Sequence, residues 1–241
     1  MKLLFIRHGD PDYEHDCVTE KGKREIQLLA EKLKEMQIDD VYISPLGRAR
    51  ETASATLSQI KKEGIICSWL REFDALVTMP GTQEKHLSWD FTPAFIEKHP
   101  MLYDANKWLK EPLIVQSDVP KRYLETCNAF DELLARYGYI RDGLHYRVVT
   151  ECRKTLVFFC HFGITGVLLS HLFHFSPICF LQHFFSAPTA IASVYSEERE
   201  KGIASFRCFS FGDISHLTTA GETPSVSGSF CEVYSDRSAR H

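Results

Sequence analysis

The chain has 241 residues, with 28 lysines and arginines against 32 aspartates and glutamates, so its formal net charge is −4 at pH 7. Hydrophobic residues make up 44% of it. These values exclude a disordered polypeptide, a collagen-like repeat and a strongly basic nucleic-acid-binding protein. A chain of this length can bury a core without disulfides.

The cysteine spacing and the apolar segments indicate the cellular compartment of the protein. Eight cysteines are scattered without a CxxC pair, which favours neither a zinc ribbon nor a thioredoxin-type motif. We expect reduced thiols and no metal or other cofactor. Only four consecutive apolar residues, 3–6, precede Arg7, too few for a secretory signal. The apolar segment 166–185 is interrupted by His171 and other polar residues, so it is a poor membrane span. We expect a cytoplasmic protein that does not bind a membrane.

The first part of the chain alternates short strands with amphipathic helices. A buried strand over 3–6 ends at Arg7-His8-Gly9, because turn formers follow a short apolar run. The pattern then predicts a helix over 19–36 with Thr19 as its N-cap, a strand over 41–43, a helix over 44–62 opened by Ser44-Pro45, and a strand over 65–67.

A less regular block extends from Phe73 to Val149. It contains scattered prolines, two tryptophans and one convincing amphipathic helix, predicted over 120–137. We interpret this block as an inserted cap.

Regular alternation returns at residue 155. The pattern predicts strands over 155–160, 190–195 and 203–211, with a helix over 164–172 after the first of them. Strands alternating with helices predict a three-layer α/β/α sandwich with a mostly parallel central sheet. The predicted domain spans 1–212, and the Ser/Thr-rich segment 213–241 is expected to be a weakly ordered tail.

Basic side chains follow several of the predicted strands. Arg7 and His8 follow the first strand, Arg48 the second, and His161 the strand 155–160. Because the carboxyl ends of parallel strands meet at one edge of a sheet, we expect these side chains to converge. Guanidinium groups match the oxygens of a phosphate, so the cluster predicts a phosphoryl site.

The same residues could carry out covalent chemistry on phosphorus. A neutral imidazole is a nucleophile, and two neighbouring arginines would keep it neutral while they stabilise phosphoryl oxygens. The departing alkoxide needs a proton, which Glu72 could supply if burial raises its pKa. Glu14 and Asp74 remain alternative donors.

The sequence resembles the histidine phosphatase superfamily, whose branches include the cofactor-dependent phosphoglycerate mutases. The similarity covers residues 1–72 and 155–211 and rests on four motifs: LLFIRHG at 3–9, SPLGRARETA at 44–53, LRE at 70–72 and FCHFG at 159–163. It implies the same α/β/α sandwich. It also implies that His8 is phosphorylated, that Arg7, Arg48 and His161 bind the phosphate, and that Glu72 is the proton donor.

The chain also departs from the usual family pattern. Asp10, Pro11 and Glu14 stand where family members usually have Glu or Gln, Ser or Thr, and Asn. Phe162 replaces a glycine after the second histidine, which is expected to narrow the pocket.

The preferred hypothesis is a metal-independent phosphatase that acts on a small phosphorylated metabolite. Residues 73–120 carry four basic and seven acidic side chains, a net charge of −3, which disfavours polyanionic substrates. The alternatives are phosphoglycerate mutase-type phosphoryl transfer and a catalytically weak sensor that binds a phosphorylated ligand.

Overall fold

The computed structural model describes residues 1–240. The strands are β1 (Lys2–Arg7), β2 (Pro11–Asp12), β3 (Cys17–Val18), β4 (Asp40–Ile43), β5 (Ile65–Ile66), β6 (Leu76–Thr78), β7 (Lys85–Leu87), β8 (Tyr139–Asp142), β9 (His145–Val148), β10 (Thr155–Cys160), β11 (Ile191–Glu200) and β12 (Ile203–Asp213). The α-helices are α1 (Glu20–Leu33), α2 (Gly47–Ile60), α3 (Pro93–Lys98), α4 (Pro112–Val115), α5 (Val119–Arg136), α6 (Phe162–Phe173), α7 (Pro177–His183) and α8 (Ser215–Ala220).

The central sheet is mixed. Its strand order is β5-β4-β10-β1-β11-β12-β9-β8. The first four strands are mutually parallel, whereas every pairing from β1–β11 onwards is antiparallel. The prediction of a mostly parallel sheet is therefore wrong for half of the strands. Only Lys201 and Gly202 separate β11 from β12, and so short a link cannot form the crossover that parallel strands require.

Helices cover both faces of the sheet, which confirms the expected α/β/α architecture. On one face, Phe5 stacks on Phe158 at 4.9 Å between ring centroids, and Phe130 of α5 packs edge-on against Phe5 at 6.2 Å. On the other face, Ile6 packs with Leu29 of α1. Because successive strand residues point to opposite faces, one apolar run supplies both cores.

The block from Phe73 to Val149 has two parts in the structure. Residues 73–118 form the hairpin β6–β7 and the short helices α3 and α4. In contrast, β8 and β9 extend the central sheet, and α5 covers it through the fully buried Phe130. Residues 73–118 alone lie outside the central sheet and the helix α5, and they form a shorter segment than the predicted insertion.

The segment after Gly212 also has defined structure. It contains the last residue of β12 and the helix α8. Leu217 and His216 of α8 are buried, and His216 Nε2 lies 3.0 Å from Thr189 Oγ1. A few apolar positions thus dock a segment whose composition alone predicts weak order.

Candidate active site

Two strand ends place His8 and His161 side by side. Arg7 is opposite Cys160 in the parallel register of β1 and β10, so the next residue of each strand leaves the sheet at the same level. The His8 backbone N–H donates to the Cys160 carbonyl oxygen at 3.0 Å. Both imidazoles are buried, and their ring centroids are 5.1 Å apart.

Two buried arginines complete the cluster. Arg48 lies in the first turn of α2, where its Nη1 donates to Asp16 Oδ1 at 2.6 Å. Arg7 donates from Nη1 to the Ser186 carbonyl oxygen at 2.5 Å and from Nη2 to the Ser227 carbonyl oxygen at 2.8 Å. The structure therefore brings together Arg7, His8, Arg48 and His161.

The surroundings keep both imidazoles neutral. Burial lowers the pKa of His8 well below its usual value, and the positive charges of Arg7 and Arg48 lower it further. Burial likewise lowers the pKa of His161, with additional effects of His8 and Arg48. A neutral imidazole retains a lone pair, which a nucleophile requires.

The hydrogen bond of His8 determines which nitrogen carries that lone pair. Its Nδ1 lies 2.8 Å from the Gly9 carbonyl oxygen. A carbonyl oxygen can only accept, so Nδ1 carries the proton in the neutral ring. The lone pair is therefore on Nε2.

Three buried N–H groups of the cluster have no hydrogen-bond partner within residues 1–240. They are Arg7 Nε, Arg48 Nε and His161 Nδ1. Ser44 Oγ lies 2.7 Å from His161 Nε2 and accepts the Leu46 backbone N–H. Its own proton is therefore free to point at Nε2, which leaves the His161 proton on Nδ1. An unpaired buried donor costs about 1–3 kcal/mol, so this site is suited to an anion that accepts from all three.

Glu72 lies at the N-terminus of α6, next to His161. Its Oε1 accepts the backbone N–H groups of Phe73 at 2.7 Å and Ile164 at 2.9 Å, while Oε2 accepts that of Gly163 at 3.3 Å. Burial raises the pKa of Glu72, although these three N–H groups oppose the rise. A Cβ on residue 163 would stand 2.7 Å from Oε1, so glycine there makes room for the carboxyl group.

The two alternative carboxyl groups lie in different surroundings. Glu14 is exposed in the loop between β2 and β3. Asp74 is also exposed and forms an ion pair with Arg122 at 2.7 Å. Of the three candidates, Glu72 is the one held against the helix that follows His161.

Sequence reasoning missed two aromatic residues of the site. The Tyr13 ring lies 5.3 Å from Arg48 Cζ and edge-on to His8, with 6.5 Å between ring centroids. The Phe185 ring lies 5.9 Å from Arg7 Cζ. Both rings belong to loops, where no periodic pattern signals their position.

A C-terminal strap, defined as residues 222–228, was also missed. Glu222 is paired with Lys21 of α1 at 2.9 Å, and the Ser225 hydroxyl donates to the Asp10 carboxylate. Ser227 then supplies the carbonyl oxygen that accepts from Arg7. The strap therefore holds one of the two guanidinium groups of the site.

Gly228 provides a test of whether the strap positions Arg7. Its φ is +79°, and a Cβ there would stand 2.8 Å from Arg7 Nη2. We expect Gly228→Ala to cost about 1 kcal/mol of unfolding free energy from the left-handed backbone and to weaken inorganic phosphate binding about ten-fold by displacing the guanidinium. Urea unfolding and titration calorimetry measure the two effects.

Gly221 provides a matched control. Its φ is +70°, and a Cβ there would meet nothing within 4 Å. Gly221→Ala should lose similar stability and keep its phosphate affinity. Equal affinities in the two variants would show that the strap does not position Arg7.

Other residues considered from the sequence lie outside the cluster. His171 Nε2 is 2.8 Å from Asp131 Oδ2, and His174 Nε2 is 2.7 Å from the Leu144 carbonyl oxygen. Burial raises the pKa of the Cys160 thiol to about 12, so that sulfur is a poor nucleophile. Within residues 1–240, no helix is long and apolar enough to cross a membrane.

Comparison with known proteins gives the family. The family model of the histidine phosphatase superfamily (branch 1) matches residues 3–208. The chain therefore belongs to this superfamily, as the sequence motifs indicated.

Two curated relatives and a solved structure resemble the chain. It is 36% identical over 81 residues to the mitochondrial serine/threonine-protein phosphatase Pgam5 of Drosophila ananassae, covering 29% of this chain and 28% of that protein. It is 27% identical over 128 residues to phosphoserine phosphatase 1 of Hydrogenobacter thermophilus, covering 46% of this chain and 52% of that protein. The match thus spans about half or less of either relative. A phosphoserine phosphatase mutant of Entamoeba histolytica, solved with phosphoserine, shares the fold with a TM-score of 0.58 and 20% identity, over 90% of this chain and 98% of that one.

Proposed function

We propose that this chain hydrolyses phosphomonoesters through a covalent phosphohistidine on His8. The observation that carries the proposal is the set of three unpaired buried N–H groups, on Arg7, Arg48 and His161, around a neutral imidazole with its lone pair on Nε2. Three donors match the three non-bridging oxygens of a phosphoryl group.

In the first half-reaction, His8 Nε2 attacks phosphorus and the bond to the ester oxygen breaks. The departing oxygen takes the proton of Glu72, whose raised pKa favours the protonated form. The products are an alcohol, phosphorylated His8 and a Glu72 carboxylate. The hydrogen bond from Nδ1 to the Gly9 carbonyl oxygen stabilises the positive charge that the ring acquires.

In the second half-reaction, the Glu72 carboxylate removes a proton from water as the water oxygen attacks phosphorus. The N–P bond breaks, and its electron pair returns to His8 Nε2. Inorganic phosphate leaves, and Glu72 is again protonated. The charges of Arg7 and Arg48 stabilise the phosphoryl oxygens in both steps.

The substrate we propose is a small phosphorylated metabolite in the cytoplasm. The relatives named above include a phosphoserine phosphatase, which supports hydrolysis of small esters. The −3 net charge of residues 73–120 disfavours a bisphosphorylated intermediate. All eight cysteines are free, which suits a reducing compartment.

Rapid-quench labelling tests the proposal. The purified protein is mixed with a ³²P-labelled phosphomonoester in the presence of a metal chelator, quenched in alkali and analysed for phosphohistidine. We expect acid-labile label on His8 that forms and decays at rates compatible with turnover. Full-speed hydrolysis without such label would overturn the covalent route.

Two further outcomes would identify the alternative functions. Conversion of 3-phosphoglycerate to 2-phosphoglycerate would favour a mutase. Tight phosphate binding without turnover on a broad panel of phosphomonoesters would favour a phospho-ligand sensor.

The pH profile follows from the directions of the two pKa shifts. The His8 pKa is lowered, so the nucleophile stays neutral as pH falls below 6.5. The Glu72 pKa is raised, so the protonated acid persists above pH 4.5. Because an alkoxide is a poor leaving group, we expect the first half-reaction to limit turnover of alkyl phosphates and their kcat to rise as pH falls from 8 towards 5.5. Phosphate release at saturating substrate measures this rate. A kcat that rises with pH over this range would contradict these roles.

A further inference from the structure

Three aromatic rings form a row along one side of the site. The Phe162 ring lies 6.5 Å from that of Phe185 and 6.2 Å from that of Trp89, between centroids. Phe185 reaches the phosphate end of the row, where its ring lies 5.9 Å from Arg7 Cζ. We call Trp89, Phe162 and Phe185 the aromatic row.

The row adjoins Glu72, the residue proposed to protonate the leaving group. In-line attack by His8 directs the departing oxygen away from the imidazole, towards the acid that protonates it. Glu72 accepts N–H groups from the first turn of α6, the helix that begins with Phe162. Trp89 also donates from Nε1 to the Phe73 carbonyl oxygen, next in sequence to Glu72, at 3.2 Å. A leaving group whose oxygen reaches Glu72 therefore lies close to this row.

Phe185 is the exposed member of the row: it is 43% exposed although it adjoins a buried arginine, whereas Phe162 is buried and Trp89 is partly buried. Tyr13, whose ring lies beside Arg48, is 60% exposed. A planar ring carried by the substrate could cover Phe185 and gain both apolar burial and ring contacts.

The neighbouring charges do not favour a carboxylate on the leaving group. Arg122, whose guanidinium lies 5.6 Å from the Phe73 ring, is already paired with Asp74. Arg71 lines a cavity of about 420 Å³ that Glu125 also lines. The surroundings of Glu72 are thus rich in rings, Arg122 is neutralised by Asp74, and Arg71 shares its cavity with a carboxylate.

We propose that the substrate is a phosphomonoester whose leaving group carries an aromatic ring, with Phe185 as the residue that selects it. This inference rests on the proposed function, because the row is placed relative to the departing oxygen. It commits to an aromatic alcohol rather than to a small polar alcohol such as serine.

Matched substrates test the preference. 2-Phenylethyl phosphate and n-butyl phosphate both release a primary alkoxide, so the broken P–O bond is alike and the ring is the main difference. We expect kcat/KM for the phenylethyl ester to exceed that for the butyl ester by at least about ten-fold. Phosphoserine is expected to resemble the butyl ester or to be poorer.

The Phe185→Leu variant tests whether the aromatic row causes the preference for the phenylethyl ester. Phe185→Leu keeps an apolar side chain and removes the ring, so the ratio of the two kcat/KM values should fall about five-fold. The control is Phe209→Leu, because Phe209 is an exposed phenylalanine of β12 far from the site. Its ring packs on Tyr195, which pairs with Lys2 at the end of β1 that is remote from His8. The ratio should remain unchanged in that variant.

The phosphonates separate the two proposals. 2-Phenylethylphosphonate and n-butylphosphonate bind without being cleaved, and calorimetry measures their affinities directly. Absence of hydrolysis of every ester would overturn the proposed function. If the esters are hydrolysed, three results would overturn the proposal of an aromatic leaving group and leave the proposed function standing. These are equal kcat/KM values for the two esters, equal affinities for the two phosphonates, and a preference for phosphoserine. A ratio unchanged by Phe185→Leu would remove Phe185 as its determinant.

Discussion

The His8→Ala variant is expected to lose about 10⁴-fold or more in kcat for phosphomonoester hydrolysis, because the covalent route has no other nucleophile at this position. Phosphate binding should largely persist, since the three unpaired donors belong to Arg7, Arg48 and His161. Steady-state phosphate release measures the first quantity, and titration calorimetry with inorganic phosphate measures the second.

His145→Ala is the matched control, because this histidine lies on β9, away from the cluster, and is partly exposed. It should hydrolyse the same ester at the wild-type rate. Substantial turnover by His8→Ala, with a wild-type pH profile, would mean that another group attacks phosphorus.

The second large effect is expected for Glu72→Gln. An amide cannot deliver a proton, so kcat for an alkyl phosphate should fall by about 10²- to 10⁴-fold. Glutamine can keep its oxygen at the position that accepts from Phe73 and Ile164, so it loses only the longest of the three hydrogen bonds, the one from Gly163 at 3.3 Å. The geometry of α6 should therefore survive.

The choice of ester distinguishes an acid from a structural carboxylate. 4-Nitrophenolate leaves without protonation, so Glu72→Gln should still form phosphohistidine from 4-nitrophenyl phosphate. It should then accumulate that intermediate, because water lacks its base. A burst of 4-nitrophenol followed by slow turnover is the expected signature.

Glu14→Gln and Asp74→Asn are the comparison variants, since both carboxyl groups are exposed. Each should retain activity on the alkyl ester within about two-fold, as surface substitutions usually have small effects. If either one abolished activity while Glu72→Gln did not, the proton donor would be reassigned to that residue.

Local sequence patterns are sufficient to predict the strands of the parallel half of the sheet and the residues that follow them at its edge. β1 and β10 are short apolar runs that end in polar residues, so their bounds and the positions of His8 and His161 could be predicted closely. The start of α2 was placed too early. Ser44 still donates its backbone N–H to the Phe159 carbonyl oxygen at 2.9 Å, so the chain remains beside the sheet before the helix begins at Gly47.

The remaining features depend on the path of the chain through space. Alternating apolar residues in β11 and β12 fit a parallel or an antiparallel neighbour equally well, so their direction was not readable from composition. The contacts of Tyr13 and Phe185 with the site arise from loops. The bond between Arg7 and Ser227 joins residues 220 positions apart, and nothing in either local sequence indicates the other.

That last contact has a consequence for biosynthesis. Ser227 emerges from the ribosome 220 residues after Arg7. A growing polypeptide can pair β1 with β10 as soon as both have left the exit tunnel, yet its guanidinium still lacks the last carbonyl that orients it. The hydrogen bonds that orient the Arg7 guanidinium are therefore complete only after Ser227 has been translated, and a nascent chain stalled before Ser227 should bind inorganic phosphate more weakly.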